Sequence, residues 1–224
     1  MLLPSCFTSV QCESGKIFMV GGLVKDLVMK NAYQIDENLV YSELATMKVG
    51  RFNAPIALLR DKCVIVAGGQ VSNSKNKFTN AVELYDSMSN KWSTIDSLQK
   101  PRGNTSLTAI ANRFVYIYHG LATTFQTSNT NSIEMIDVGQ LDNASLRQAK
   151  WVAVPVSNNE FIHNRPVGSA QVSHGEVIIF GGQGNHTYSL DVSHHSGGGG
   201  QEMQTAARLS RMPESNLLSD TRFC

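Results

Sequence analysis

Histidine, cysteine and arginine are the side chains through which this chain could do chemistry, and their spacing narrows what that chemistry is. The six histidines, His119, His163, His174, His186, His194 and His195, include no H-x-x-x-H pair that would set two imidazoles on one face of a helix. His194-His195, beside a glycine run, is at most a weak surface chelator. Cys6, Cys12, Cys63 and Cys224 lack the paired short spacings of zinc sites and disulfide-stapled domains, so reduced thiols are expected. No G-x-S-x-G, H-E-x-x-H or P-loop string occurs. No metal, no cofactor and no catalytic residue is expected.

One polar pattern does recur. Arg51 with Asn53 in GRFNAP, Arg102 with Asn104 in PRGNTS, and Arg165 in NRPVGS stand 17, 17 and 16 residues before Gly68, His119 and Gly181. A guanidinium offers a planar fork that grips a carboxylate through two hydrogen bonds, so these arginines suit either an acidic ligand or an internal bridge. Ser5 stands at this place in the first copy of the pattern.

The elements that must position these residues are repeats. A short alternating segment, a polar turn, a run of β-formers and a glycine are written four times, as SVQCESGKIFMVGG, ALLRDKCVIVAGG, AIANRFVYIYHG and QVSHGEVIIFGG. Their closing glycines, Gly22, Gly69, Gly120 and Gly182, are 47, 51 and 62 residues apart. Period-two alternation predicts a hairpin in each, turning at Ser14-Gly15, Arg60-Asp61, Ala111-Asn112 and His174-Gly175. A third strand follows in NAYQID, NAVELYD, NSIEMID and NHTYSLD. A fourth is opened by an aromatic in three copies: Tyr41, Trp92 and Trp151. Each unit is thus a four-stranded antiparallel meander, which cannot bury both faces alone and must stack on its neighbours.

The doublets Gly21-Gly22, Gly68-Gly69 and Gly181-Gly182, the Tyr85-Asp86 pair seven residues before Trp92, and a period near 50 resemble the kelch repeat. The resemblance covers about residues 3 to 192 and implies an all-β fold: a kelch-type β-propeller arc of about four blades. The repeats run over about 3–47, 50–98, 101–155 and 165–192. The third copy departs from the pattern, with His119-Gly120 in place of a doublet, and Ile35, Ile136 and Leu190 stand where the second has Tyr85. After Asp191 no tryptophan follows, so the last blade is expected to lack its outer strand.

Closed kelch rings, as the resemblance implies, have five to seven blades, so this chain reads as a partial propeller: a fragment, a short gene product, or an arc completed by self-association. From 193 to 224 a glycine-rich linker leads to a tail expected to be disordered or briefly helical. Residues 138–150 are an insertion that lengthens the third unit.

Nineteen basic against eighteen acidic residues, a net charge of +1, exclude a nucleic-acid binder, and no apolar run approaches the roughly 20 residues of a membrane span. The start, broken by Pro4 and Ser5, has no basic leader region, so a cytoplasmic protein is expected and the N-x-S/T matches at Asn104, Asn143 and Asn185 are read as chance. The resemblance implies a non-catalytic scaffold or recognition module for a protein partner. Its channel-mouth candidates are Arg51, Asn53, Arg102, Asn104 and Arg165, which in the family's ubiquitin-ligase adaptors match positions that hold acidic peptides. The alternatives are the substrate-recognition part of a cullin-type ubiquitin-ligase adaptor and, ranked last, a propeller enzyme. The loops Leu23–Lys30, Gln70–Thr79 and Leu121–Thr130 project from one rim, as recognition surface or as plain connection.

Overall fold

The structure is a computed structural model and describes residues 4–72, 77–122, 132–139, 149–157, 167–171, 176–181, 187–195 and 204–211. Every regular element among the described residues is a strand. The first sheet contains β1 (Thr8–Gln11), β2 (Ile17–Val20), β5 (Ala32–Ile35) and β6 (Tyr41–Leu44), with a small hairpin of β3 (Leu23–Val24) and β4 (Leu27–Val28) above it. The second contains β7 (Ile56–Leu59), β8 (Cys63–Ala67), β11 (Val82–Asp86) and β12 (Lys91–Thr94), with β9 (Gln70–Ser72) and β10 (Lys77–Phe78) paired alongside. The third is β13 (Ser106–Ile110), β14 (Phe114–Tyr118), β15 (Ile133–Asp137) and β16 (Val152–Val154). The fourth joins β17 (Val156–Ser157), β18 (Val167–Gln171), β19 (Glu176–Gly181), β20 (Thr187–His195) and β21 (Gln204–Arg211).

Within each of the first three sheets the four main strands pair antiparallel in chain order. The first strands of successive sheets, β1, β7, β13 and β18, are neighbours in space, so the sheets are set radially about them as an arc of four propeller blades.

Alternation along each strand divides its side chains between two seams. In β8, Val64 and Val66 pack against the first blade with Phe18 and Val20, while Cys63, Ile65 and Ala67 pack against the third. In β14, Val115 and Ile117 face the second blade, and Phe114, Tyr116 and Tyr118 face the fourth. Both strands are therefore apolar throughout and buried at every position.

The hairpin turns carry the blades' register. Arg60 and Asp61 have φ of 52° and 53°, and Ala111 and Asn112 both 52°, the paired left-handed geometry of a two-residue turn matched to strand twist. Non-glycine residues tolerate this because each turn is bonded to the next: the Glu13 amide donates to Asp61 Oδ1 at 2.8 Å, and the Arg60 amide to Asn112 Oδ1 at 2.9 Å. The predicted turn at His174-Gly175 lies outside the described residues.

The fourth sheet differs from expectation. The sequence reading stops that blade at Val192 and leaves 193–224 as linker and tail. Instead β20 continues to His195, and β21 returns beside it from His195↔Gln204 to Tyr188↔Arg211, supplying the outer strand. Helix propensity in this segment is a weak local preference, and the unpaired edge of β20 offers a full ladder of backbone partners that overrides it. Beyond β21, β17 adds a short parallel pairing, Val156↔Ala207.

Candidate functional site

The arginine pattern resolves into two buried ion pairs. Arg51 and Arg102 are 1% and 0% exposed. Arg51 Nη2 donates to Glu83 Oε1 at 2.6 Å, Nη1 to the carbonyls of Gly68 and Ala81 at 2.8 and 2.7 Å, and Nε to Val49 O at 3.3 Å. Arg102 repeats the arrangement with Glu134, the carbonyls of His119 and Ser132, and the Ser132 hydroxyl. Burial pulls both guanidinium groups below the usual arginine range, and the paired glutamate works against that shift.

Each glutamate also fastens the chain arriving from the preceding blade. Glu83 accepts from the amides of Lys48 and Val49 at 2.7 and 3.1 Å, and Glu134 from that of Gln99 at 2.7 Å. The channel-mouth role expected for Arg51 and Arg102 is thereby corrected. Their forks close on carboxylates of their own third strands, where desolvation makes an open guanidinium too costly to leave for a ligand. Arg165 lies outside the described residues.

A second correction concerns the first repeat. The bridges Ser5↔Leu23, Phe52↔Gln70 and Gly103↔Leu121 put Pro4, not Ser5, at the position of Arg51 and Arg102. Tyr33 pairs with Met19 as Glu83 pairs with Val66 and Glu134 with Ile117, so it occupies the glutamate's place. The first blade lacks both halves of the pair together.

Cys6, Asn53 and Asn104 stand at equivalent places at one end of the blades, the end expected to be the channel mouth, with φ of 53°, 50° and 50°. The Asn104 amide donates to Asn53 O at 3.0 Å and the Asn53 amide to Cys6 O at 3.2 Å, a backbone chain running from blade to blade. Asn53 Nδ2 donates to Gln70 Oε1 at 3.0 Å, and both asparagines are half-buried. These two remain at the surface where the arginines do not.

The repeat markers lie as follows. Gly21, Gly22, Gly68, Gly69 and Gly120 have left-handed φ at the ends of the second strands, Gly181 ends β19, and Gly182 lies outside the described residues. Tyr85 and Trp92, with ring centroids 5.2 Å apart, sit in the seam of blades one and two, where Trp92 Nε1 donates to Ala45 O at 2.7 Å. Trp151 is buried between blades two and three. Tyr41 is not in a seam with a neighbour: it lies on the outer face of the first blade, 38% exposed.

At the same end as the mouth, β3 and β4 turn through Lys25 and Asp26, and Leu27 is 68% exposed. Phe78, on β10, is buried over the backbone of Gly103, so the Gln70–Thr79 loop is anchored to the third blade. Most of Leu121–Thr130 lies outside the described residues. Sequence reasoning did not single out Leu27, Phe7 or, at the opposite end, Leu39 and Met88, all exposed. An apolar residue inside an otherwise polar turn is the signal that could have found them. Among the described residues no three His, Cys, Asp or Glu side chains are grouped as metal ligands, and no helix is long and apolar enough to cross a membrane.

Comparison with known proteins fits this geometry. The Kelch motif model matches residues 59–99, from the end of β7 through β12. "Kelch repeat and BTB domain-containing protein 1" of Horsepox virus is 23% identical over 153 residues, covering 66% of this chain and 26% of the viral protein. The protein of that name in Vaccinia virus (strain Copenhagen) is 22% identical over 153 residues, with the same coverage. The chain thus spans about a quarter of the length of the curated relatives it matches. A solved structure, "Structure of YjhT", superposes with a TM-score of 0.68 at 12% identity, over 94% of this chain and 65% of that one, a likeness of fold. Radial four-stranded antiparallel blades, with a match to the Kelch motif in the second, define the fold as a β-propeller whose blades are similar to kelch repeats.

Proposed function

We propose that this chain is a non-catalytic, cytoplasmic recognition module that receives a protein partner on the rim around its channel mouth. The observation that carries the reading is what the fold leaves uncovered there. The charged repeat residues Arg51, Arg102, Glu83 and Glu134 are consumed inside the blades, whereas Phe7, Lys25, Leu27 and Lys77 stand out at one rim. Single exposed apolar residues are ordinary, but Leu27 is carried by a paired hairpin, which limits the entropy lost when a partner orders it. The partner segment is accordingly apolar with acidic flanks. Cys12 and Cys63, free and buried, suit a reducing compartment.

Peptide display against the immobilised chain tests this. Enriched peptides are expected to lose at least tenfold in affinity on Leu27→Asp and to be indifferent to Met88→Ser at the far end. No enrichment, or equal sensitivity to both substitutions, would sink the reading. A second reading, the recognition part of a cullin-type ubiquitin-ligase adaptor, is favoured by relatives named as BTB domain-containing. Its test is whether the polypeptide expressed in cells co-purifies with a cullin.

A further inference from the structure

The two rim hairpins, β3–β4 on the first blade and β9–β10 on the second, share one register. Leu23 is bridged to Ser5 and Gln70 to Phe52, equivalent residues of the two blades. Val28 pairs with Leu23 and Phe78 with Gln70. The next amides, of Met29 and Thr79, both donate back to the closing glycine of their own blade, Gly22 O at 2.9 Å and Gly69 O at 3.0 Å. Leu27 and Lys77 therefore hold the same place in neighbouring blades.

Strand alternation fixes which way that place faces. Phe78 is turned down onto the third blade, where a Cβ on Gly103 would stand 2.9 Å from its ring. On the first hairpin the chain after Leu27 lies against the segment entering the second blade: a Cβ on Gly50 would meet Val28 O at 3.0 Å and Lys30 Cγ at 3.2 Å. The preceding residue of each hairpin must then face away from the blades, and Leu27 is 68% exposed and Lys77 exposed. Since the second blade has a neighbour on each side, the outward place belongs to the hairpin and not to the edge of the arc.

The two copies differ in chemistry. Leu27 presents an isobutyl group, Lys77 an ammonium. Among the described residues 23–30, 70–72 and 77–79 the charged side chains are Lys25, Asp26, Lys30 and Lys77, an excess of cations that complements an acidic ligand. Leu27 is the one strongly exposed apolar side chain of that set. An amphipathic helix needs a groove for anchors at i, i+3 or i+4, and i+7, so a single anchor beside cations suits an extended chain instead. Sheets packed face to face lie about 10 Å apart, and an extended chain rises about 3.3 Å per residue, so about three or four residues span the equivalent places of adjacent blades.

We propose that the rim takes an extended peptide segment laid across the first two blades, with an aliphatic or aromatic residue on Leu27 and a carboxylate about three or four residues away on Lys77. The order and spacing of these contacts rest on the rim being the recognition surface proposed above.

Selection of a random peptide library on the full chain, run in parallel on Lys77→Glu, tests this. Peptides enriched on the wild type should share an apolar residue with Asp or Glu at a fixed offset of about three or four. Those enriched on Lys77→Glu should keep the apolar residue and carry Lys or Arg at the same offset. In solution a wild-type-selected peptide should bind Lys77→Glu about fivefold more weakly, with the difference shrinking as salt is added, and should be indifferent to Lys62→Glu at the opposite end. If Lys77→Glu disturbs the hairpin by circular dichroism, Lys77→Gln replaces it and should abolish the acid preference without creating a basic one. Failure to enrich any peptide overturns this inference together with the rim reading. Peptides that need Leu27 but show no acid at a fixed offset, or an acid preference untouched at Lys77, overturn the two-blade ligand and leave the rim reading standing.

Discussion

Gly69 donates its amide to the carbonyl oxygen of Arg102 at 2.8 Å, and a Cβ on the neighbouring Gly68 would run into that same oxygen. The glycine doublet of one blade is thus the seat for the residue that opens the next. Gly21 and Gly22 make the same seat for Arg51. The backbone of Arg51 and of Arg102 is held by the preceding blade while the side chain is held by its own, so one residue ties each of the first two seams at the mouth.

Substitution at the seat should therefore cost more than the backbone geometry alone. Gly68→Ala and Gly15→Ala both place a Cβ at positive φ, 62° and 82°, a strain of about 1–2 kcal/mol. At Gly15 the added carbon meets open space; at Gly68 it meets Arg102 O. Thermal melts should show a clearly larger loss for Gly68→Ala, and equal losses would contradict the seat.

Breaking a buried pair strands the other charge. Arg51→Ala leaves the 1% exposed Glu83 carboxylate without its cation and the carbonyls of Gly68 and Ala81 without a donor. A loss of about 3–5 kcal/mol in urea unfolding is expected. Adding Glu83→Gln should recover part of it, because the buried charge is gone while an oxygen remains for the linker amides. A loss below about 1 kcal/mol would return Arg51 to the list of ligand-binding candidates.

Trp92 fills the wedge between the first two blades and bonds across it to Ala45 O. Trp92→Ala should cost about 3–5 kcal/mol. Trp92→Phe, keeping most of the volume but losing the indole donor, should cost less, and its excess over a pure volume change measures the bond at about 1 kcal/mol. Unfolding by denaturant separates the two.

The thiols should differ in reactivity. Cys6 is exposed at the mouth, whereas burial, with Asp61 adding to it, pushes the Cys12 thiol from 9.0 up to about 11. At pH 8 an alkylating reagent should label Cys6 and spare Cys12. A thiol whose folded pKa is raised supports the fold fully below pH 9 and loses that support as pH rises through about 11. Tyr116 and Tyr118, also raised by burial, extend the loss to higher pH. Melting temperature should fall over this alkaline range, and Cys12→Ala should flatten the first part of the fall.

Much of the blade was legible because its signals are local. Alternation in IFMV, CVIVA and FVYIY reports a strand within a few residues, and Arg60-Asp61 or Ala111-Asn112 marks a turn because no longer connection fits between such strands. Self-similarity then turned four hairpins into stacked meanders. The recurrence of Arg51 and Arg102 was visible too, but Glu83 and Glu134, inside NAVELYD and NSIEMID, did not stand out as their partners: each lies 32 residues away on a strand whose register the chain alone does not print.

The amino-acid order by itself determined the four-stranded blades, their count along the chain and the glycine seats, since period-two burial and tight turns depend on adjacent residues. Only the tertiary structure decided which way the guanidinium forks point, that Pro4 and Tyr33 mark a first blade without the pair, and that 204–211 is a strand. Those outcomes depend on desolvation and on free strand edges, which exist only once distant segments have been brought together.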